Sequence, residues 1–344
     1  MKHVNIPVFI PHLGCPNQCI FCNQRYISGT VEFKLSDVRE AIEKTLSTVG
    51  DDDFCEIAFF GGSFTGIDRG LMIELLDIAE EYVKCGRVTG IRMSTRPDYI
   101  SEEILEILDK YTITFVELGI QSMNDKVLAY LKRGHTVQDT VKATQLLKSH
   151  GYKFVGQMMV GLPTATQEDE VACAEQICRL GATGARIYPT VVFRMTELEA
   201  LTMSGIYVPL SLEDAVARAA DVLSVFDKYG VECIRIGLCD SESLHSDATY
   251  VGGPNSPSIG EMVLSRMYLN KICTAIDVDE NNTENKQLTV YCSIGKTSQI
   301  IGHRRKNILE LKDRYGFSCI KIFEDAVLLD KEIRLEMKEE NSCV

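Results

Sequence analysis

Short runs of β-branched and aromatic residues alternate with longer stretches of helical period from the start of the chain to about residue 240. Strands separated by whole helices cannot pair as hairpins, so the alternation predicts parallel strands joined by crossover helices. The strand candidates are 3–10, 54–60, 90–94, 113–119, 153–160, 185–189 and 232–236. Helices are expected from Ser36, with Glu40 in its first turn, and over 69–83, 101–110, 125–131, 137–149, 166–180 and 211–229. About six such units can curl into a full or partial (β/α) barrel, in which residues just past the strand C-termini converge on one face. LGCPNQCIFC follows the first strand, GGSF the second, STRPD the third, GIQS the fourth and GLP the fifth. A doubly wound open sheet also fits the alternation, but no G-x-G-x-x-G follows the first strand.

The 344 residues, 45% hydrophobic and 25% charged, can bury one large core and a small satellite domain. No apolar run reaches eighteen residues and the N-terminus lacks a signal-peptide pattern, so a cytoplasmic location is expected. Thirteen cysteines scattered over this length, an odd number, read as reduced thiols and not as a disulfide framework. Cys55, Cys85, Cys173, Cys178 and Cys233 lie singly in apolar segments, where a thiol serves as a small hydrophobe. The net charge of −13 excludes bulk electrostatic coating of nucleic acid, so any such contact must come from a local patch.

Only Cys15, Cys19 and Cys22 cluster, spaced C-x3-C-x2-C in a loop with Gly14 and Pro16. A structural zinc site wants four protein ligands, and no second cysteine knuckle lies near by. An iron-sulfur cube held by three thiolates keeps one iron free for substrate or cofactor.

With Phe21 two residues after Cys19, the cluster resembles the C-x3-C-x-aromatic-C signature of the radical S-adenosylmethionine superfamily. The resemblance implies a 4Fe-4S cluster on Cys15, Cys19 and Cys22 whose open iron chelates S-adenosylmethionine (SAM), with Phe21 packed on the adenine. It implies reductive cleavage of the sulfonium to a 5'-deoxyadenosyl radical, with electrons from a donor such as flavodoxin or ferredoxin. It further implies that Gly61, Gly62 and Ser63 hold the methionine amino group, that Gln121 meets the ribose and that Arg133 meets the carboxylate. Thr95, with Ser94 and Arg96, and Gln157 stand at positions of further cofactor contacts. His135 is open to a catalytic role, titrating near neutrality, or to a structural one.

Within that superfamily the chain is similar to the radical domain of the Elongator catalytic subunit, over about residues 1–240. STRPD, ELGIQS, LKRGHT, GLP and RIYPTVVFRMTELEAL, then Y-x-P-x-S-x-E-x-A, occur in order between residues 94 and 216. Only fourteen residues precede Cys15, and no acetyl-coenzyme A phosphate loop is visible after residue 240. The expectation therefore does not extend to carboxymethylation from acetyl-coenzyme A.

Beyond the acidic stretch DVDENNTEN near residue 277, the segment 281–344 forms a separate module, with 241–280 as a barrel-closing segment and linker. SQIIGHRRKNILELKDRYGFSCIKI, with a strand at 287–292 before it, resembles a KH domain. In that fold a G-x-x-G loop clamps single-stranded nucleic-acid backbone, and here Gly302, His303, Arg304, Arg305 and Lys306 occupy the loop, with arginine in place of the second glycine. From Lys286 to Ile322 eight Lys or Arg face two acids, about +6 within an acidic protein. Asn255, Ser258 and Glu261 are candidates for substrate contact. The expected fold is thus α/β, a full or partial (β/α) barrel of radical SAM type with a small C-terminal α+β (KH-like) domain. The expected function is radical modification of RNA, a tRNA base. The alternatives are a radical enzyme on a small molecule or tetrapyrrole, and a non-catalytic RNA-binding protein with a relic cluster.

Overall fold

A computed structural model of the chain describes residues 3–10, 13, 15, 19–23, 33–50, 53–238, 248–278 and 283–339. Contacts divide it into two units, Met1–Ala215 with Val225–Pro257, and Val216–Ser224 with Ser258–Val344.

The first unit is built on seven strands: β1 (His3–Phe9), β2 (Phe54–Phe60), β3 (Gly90–Thr95), β4 (Ile113–Gln121), β5 (Lys153–Val160), β6 (Gly184–Pro189) and β8 (Glu232–Ile236). They lie in the order β1-β2-β3-β4-β5-β6-β8, every pairing parallel. The sheet is a curled half-barrel in which β1 and β8 do not pair with each other, so the partial barrel is the form adopted. The crossovers are α1 (Ser36–Leu46), α2 (Arg69–Lys84), α3 (Glu102–Leu108), α4 (Asp125–Tyr130) with α5 (Val137–Ser149), α6 (Gln167–Arg179), and α7 (Glu197–Met203) with α8 (Leu212–Lys228). β7 (Val192–Phe193) leaves the sheet after β6 to pair antiparallel with β9 (Tyr250–Gly252).

A parallel sheet faced by helices is buried on both sides, which explains strands such as FCEIAFF, where Ile57, Ala58 and Phe59 are inaccessible to solvent. Helix starts are set by side-chain caps. Thr136 and Thr166 each close a capping box, with Asp139 and Asp169, at the heads of α5 and α6. Close packing also demands glycine at one strand position: a Cβ at Gly156 would stand 2.5 Å from Ile177 Cγ2. Of the five isolated cysteines, Cys55, Cys173 and Cys178 are buried as expected and Cys233 is half-buried. Cys85 is exposed, because it caps the solvent end of α2. Burial pushes the Cys173 thiol up to about 12 and the Cys178 thiol up to about 11.

The second unit combines α9 (Ile259–Val278) and the middle of α8 with β10 (Lys286–Cys292), α10 (Thr297–Ile301), α11 (Lys306–Tyr315), β11 (Cys319–Glu324) and β12 (Ile333–Glu339). The strand order is β11-β10-β12, with β11 parallel and β12 antiparallel to β10. α9 buries Ile259, Val263, Met267, Tyr268, Leu269, Ile272, Cys273 and Ile276, an unusually wide apolar face. β12 is absent from the sequence expectation. Its charged sequence IRLEMKE lacks an apolar run because it is an edge strand. Among the described residues no helix is long and apolar enough to cross a membrane.

Candidate functional site

The three clustered cysteines sit where the chain leaves β1, at the C-terminal edge of the sheet. All three are free thiols, Cys19 buried and Cys15 and Cys22 half-buried. Gly14 and Pro16 lie outside the described residues. The segment is stitched to its surroundings by the backbone: Ile20 N–H donates to Leu131 O at 3.2 Å, Leu198 N–H donates to Ile20 O at 2.8 Å, and Cys22 N–H donates to Cys19 O at 3.0 Å. Ile20 belongs to a core with Val127, Leu131, Met159, Leu162 and Leu198, against which half-buried Phe21 packs.

Among the described residues, two side chains reach Cys15 and Cys19. Ser63 Oγ lies 3.4 Å from Cys15 Sγ, and Arg133 Nη1 donates to Cys19 Sγ at 3.4 Å. Ser63 follows Gly61, in the left-handed region at φ 96°, and Gly62, so the turn after β2 delivers it into the interior. Arg133 is turned inward between two left-handed residues, Lys132 at φ 55° and Gly134 at φ 84°. Its Nη2 donates to Gly119 O at 2.7 Å, and its Nε is buried without a partner. Gly119 is glycine for a physical reason: a Cβ there would stand 2.6 Å from Arg133 Nη2 and 3.2 Å from Gln121 Nε2. Gln121 itself sits at a bulge between β4 and β5 at φ 67°, with a buried, unpartnered Oε1. Strain and orphaned polar atoms at one end of a strand mark a place that gains partners when something binds.

Thr95 Oγ1 and Thr65 Oγ1 are 2.6 Å apart; since Thr65 donates to Tyr99 O at 2.8 Å, Thr95 is the donor between them. Arg96 is buried and forked onto Asp98, at 2.9 Å from Nε and 2.7 Å from Nη2. His135 corrects the expectation of titration near neutrality. Burial first, then the charge of Arg133, pushes it down to about 3, so it is neutral at pH 7. Neither ring nitrogen makes a hydrogen bond of standard geometry, the Ile120 backbone offering only a weak contact.

The structure thus gathers Cys15, Cys19, Ser63, Gln121 and Arg133 around one edge, with Phe21, Gly61 and Gly62 on adjoining turns and Thr95 at the end of β3. Gln157 is drawn elsewhere. Its Nε2 donates to Glu117 Oε2 at 2.7 Å, inside a buried ladder that sequence reasoning missed. Glu117 also accepts from Arg186 Nη2 at 2.9 Å and meets Arg92 at 3.3 Å, and Arg92 meets Glu56 at 3.3 Å, with His3 at 2.6 Å from Glu56. The available signal was a charged residue alternating with apolar ones in the middle of each strand, as in CEIAFF, GIRMST and FVELGIQ. Among the described residues no three His, Cys, Asp or Glu side chains close on one point as a single metal ion requires. A cube is bound differently, each thiolate taking a separate iron, and three cysteines outside any disulfide suit it.

The Radical SAM superfamily model matches residues 9–177, and the Radical_SAM C-terminal domain matches 182–269. An uncharacterized protein of Methanocaldococcus jannaschii is 31% identical over 245 residues, 66% of this chain and 73% of that one. The chain belongs to the radical SAM superfamily. A radical SAM enzyme employs a 4Fe-4S cluster and SAM, and these are the cofactors of this chain. A second relative of this radical SAM protein is the tRNA uridine(34) acetyltransferase of M. jannaschii, 33% identical over 170 residues, 48% of this chain and 31% of that one. The chain therefore spans under a third of the acetyltransferase. Among solved structures, Methanocaldococcus infernus Elp3 with an N-terminal deletion superposes with a TM-score of 0.61 at 23% identity, covering 79% of this chain and 63% of that chain.

In the second unit, Gly302 (φ 76°), Arg304 (φ 51°) and Arg305 (φ 63°) form a left-handed turn at the head of α11. Arg305 adopts the backbone conformation that a glycine would supply at that position. Asn307 Nδ2 fixes the turn, its two protons shared among Ser265 O, Ser265 Oγ, Gln299 O and Ile300 O at 3.0 to 3.3 Å. A Cβ on Gly302 would stand 2.9 Å from the Asn307 side chain. His303, Arg304, Arg305 and Lys306 are all exposed. Asn255 falls in the first unit and Ser258 and Glu261 in the second, where Glu261 accepts from Gln299 Nε2 at 3.1 Å.

Proposed function

We propose that this radical SAM enzyme modifies RNA, with a tRNA base as its target. The observation that carries the reading is the exposed His303-Arg304-Arg305-Lys306 turn. Four consecutive basic side chains, anchored by Asn307 at a helix start, form the kind of patch that an acidic protein needs to hold a polyanion. The parallel β10–β11 pair joined by α10 and α11 supports a KH-like reading of the module. The similarity to a tRNA uridine(34) acetyltransferase supports a tRNA as the polyanion.

Under this reading Cys15, Cys19 and Cys22 hold the cluster, and Phe21 packs on the adenine of SAM. Gly61 and Gly62 let the methionine amino group approach the backbone, and Ser63 fixes the Cys15 side of the cradle. Gln121 meets the ribose with its unpartnered Oε1, while Arg133 turns its guanidinium fork to the carboxylate. Thr95 and Gln157 contribute through the hydroxyl pair with Thr65 and the buried ladder. When bound, the cluster and SAM would supply a 5'-deoxyadenosyl radical. A flavodoxin or ferredoxin delivers the electron, and the enzyme works in the cytoplasm.

Filter binding of tRNA to the full chain and to Arg304→Glu/Arg305→Glu tests the RNA reading. Retention should fall at least tenfold in the variant, and wild-type retention should fall with added salt. Equal retention by both forms at every salt concentration would contradict it.

A further inference from the structure

We propose that Arg96 sets the reduction potential of the cluster, acting as a fixed, buried positive charge beside the Cys15 and Cys19 thiolates. The inference rests on the assignment of the cluster to the three cysteines.

Arg96 is among the most enclosed large side chains of the chain, only 2% exposed. A guanidinium cannot shed its proton to escape burial, so it stays charged and must be compensated. Asp98 compensates in part: its two oxygens take Nε and Nη2, and the ring of Tyr99 lies 5.5 Å from the guanidinium carbon. Nη1 remains enclosed with no acceptor. The side chain springs from the strand end that adjoins the cysteines. Thr95 before it bonds Thr65, in the turn whose Ser63 meets Cys15, and the Thr95 carbonyl borders Gly119, whose own carbonyl holds Arg133 against Cys19. Burial lowers the proton affinity of Arg96, while Asp98, and after it the Cys19 and Cys15 side chains, raise it.

Arg133 already binds Cys19 and is assigned to the SAM carboxylate, whereas nothing among the described residues occupies the third nitrogen of Arg96. Reduction adds one electron, and therefore one negative charge, to the cluster. A positive charge held in a poorly screened interior favours that reduced state, and a negative one opposes it. Arg96 and Asp98 thus act with opposite signs on the same cluster.

The test is an anaerobic redox titration of the reconstituted full chain without SAM, followed by electron paramagnetic resonance of the reduced cluster. Arg96→Gln should lower the reduction equilibrium constant about tenfold, a midpoint shift of ~59 mV to more negative potential. Asp98→Asn should move the midpoint the other way, and Arg96→Lys should stay near wild type. A role confined to holding the loop would not produce shifts of opposite sign at equal iron content. Unchanged midpoints in both charge variants, or loss of the cluster from both, overturn the proposal. A wild-type chain that takes up no cluster removes the cysteine assignment, and this inference with it.

Discussion

Gly119 and Arg133 show how far single atoms decide this site. The missing Cβ at Gly119 makes room for a guanidinium that bridges a backbone carbonyl and the Cys19 thiol. Gly119→Ala should displace that guanidinium, cost ~1–3 kcal/mol in urea unfolding and weaken SAM binding measured by calorimetry. Unaltered SAM affinity would show that Arg133 does not serve the carboxylate. His135 offers a separate test through pH. Its folded value of about 3 lies below the ordinary value of 6.5, so the unfolded chain binds the extra proton. Its contribution to stability is complete above about pH 6.5 and is lost progressively as pH falls toward 3. Urea titrations of wild type and His135→Gln should therefore diverge in slope across that window; parallel curves would refute the assignment.

At the scale of elements, the buried ladder across β2, β3, β4 and β6 joins strands that hydrophobic packing alone would leave interchangeable. Removing one member leaves a charge buried without its partner, so Glu117→Ala should destabilise by ~3–5 kcal/mol in denaturant unfolding. The exposed cap of α5 gives a milder reference, Thr136→Ala costing ~1 kcal/mol in the same measurement. The strands of the half-barrel were legible in the sequence because each is a short β-branched run closed by a glycine or polar loop, and Lys153–Val160 and Glu232–Ile236 match to the residue. The β7–β9 pairing was not legible: its strands have two and three residues and lie far apart in sequence, so no local period marks them. Of the site, the cysteines and Arg133 stood out by motif. The Arg96–Asp98 fork and the ladder did not, because a pairing of charges inside a barrel depends on which strand faces which.

For the whole molecule, two compact units divide chemistry from charge. The first carries the thiols, the glycine turns and the inward arginines; the second carries the exposed basic turn. The account depends on three thiolates of the first unit holding a cube with one iron left open. Anaerobic reconstitution of the full chain with iron and sulfide, read by metal analysis and by electron paramagnetic resonance with and without SAM, measures this directly. About four irons per chain, a reduced-cluster spectrum that changes when SAM is added, and loss of both on replacing Cys15, Cys19 and Cys22 by alanine are the results expected. A cluster retained by the triple alanine variant, or a spectrum indifferent to SAM, would contradict the account.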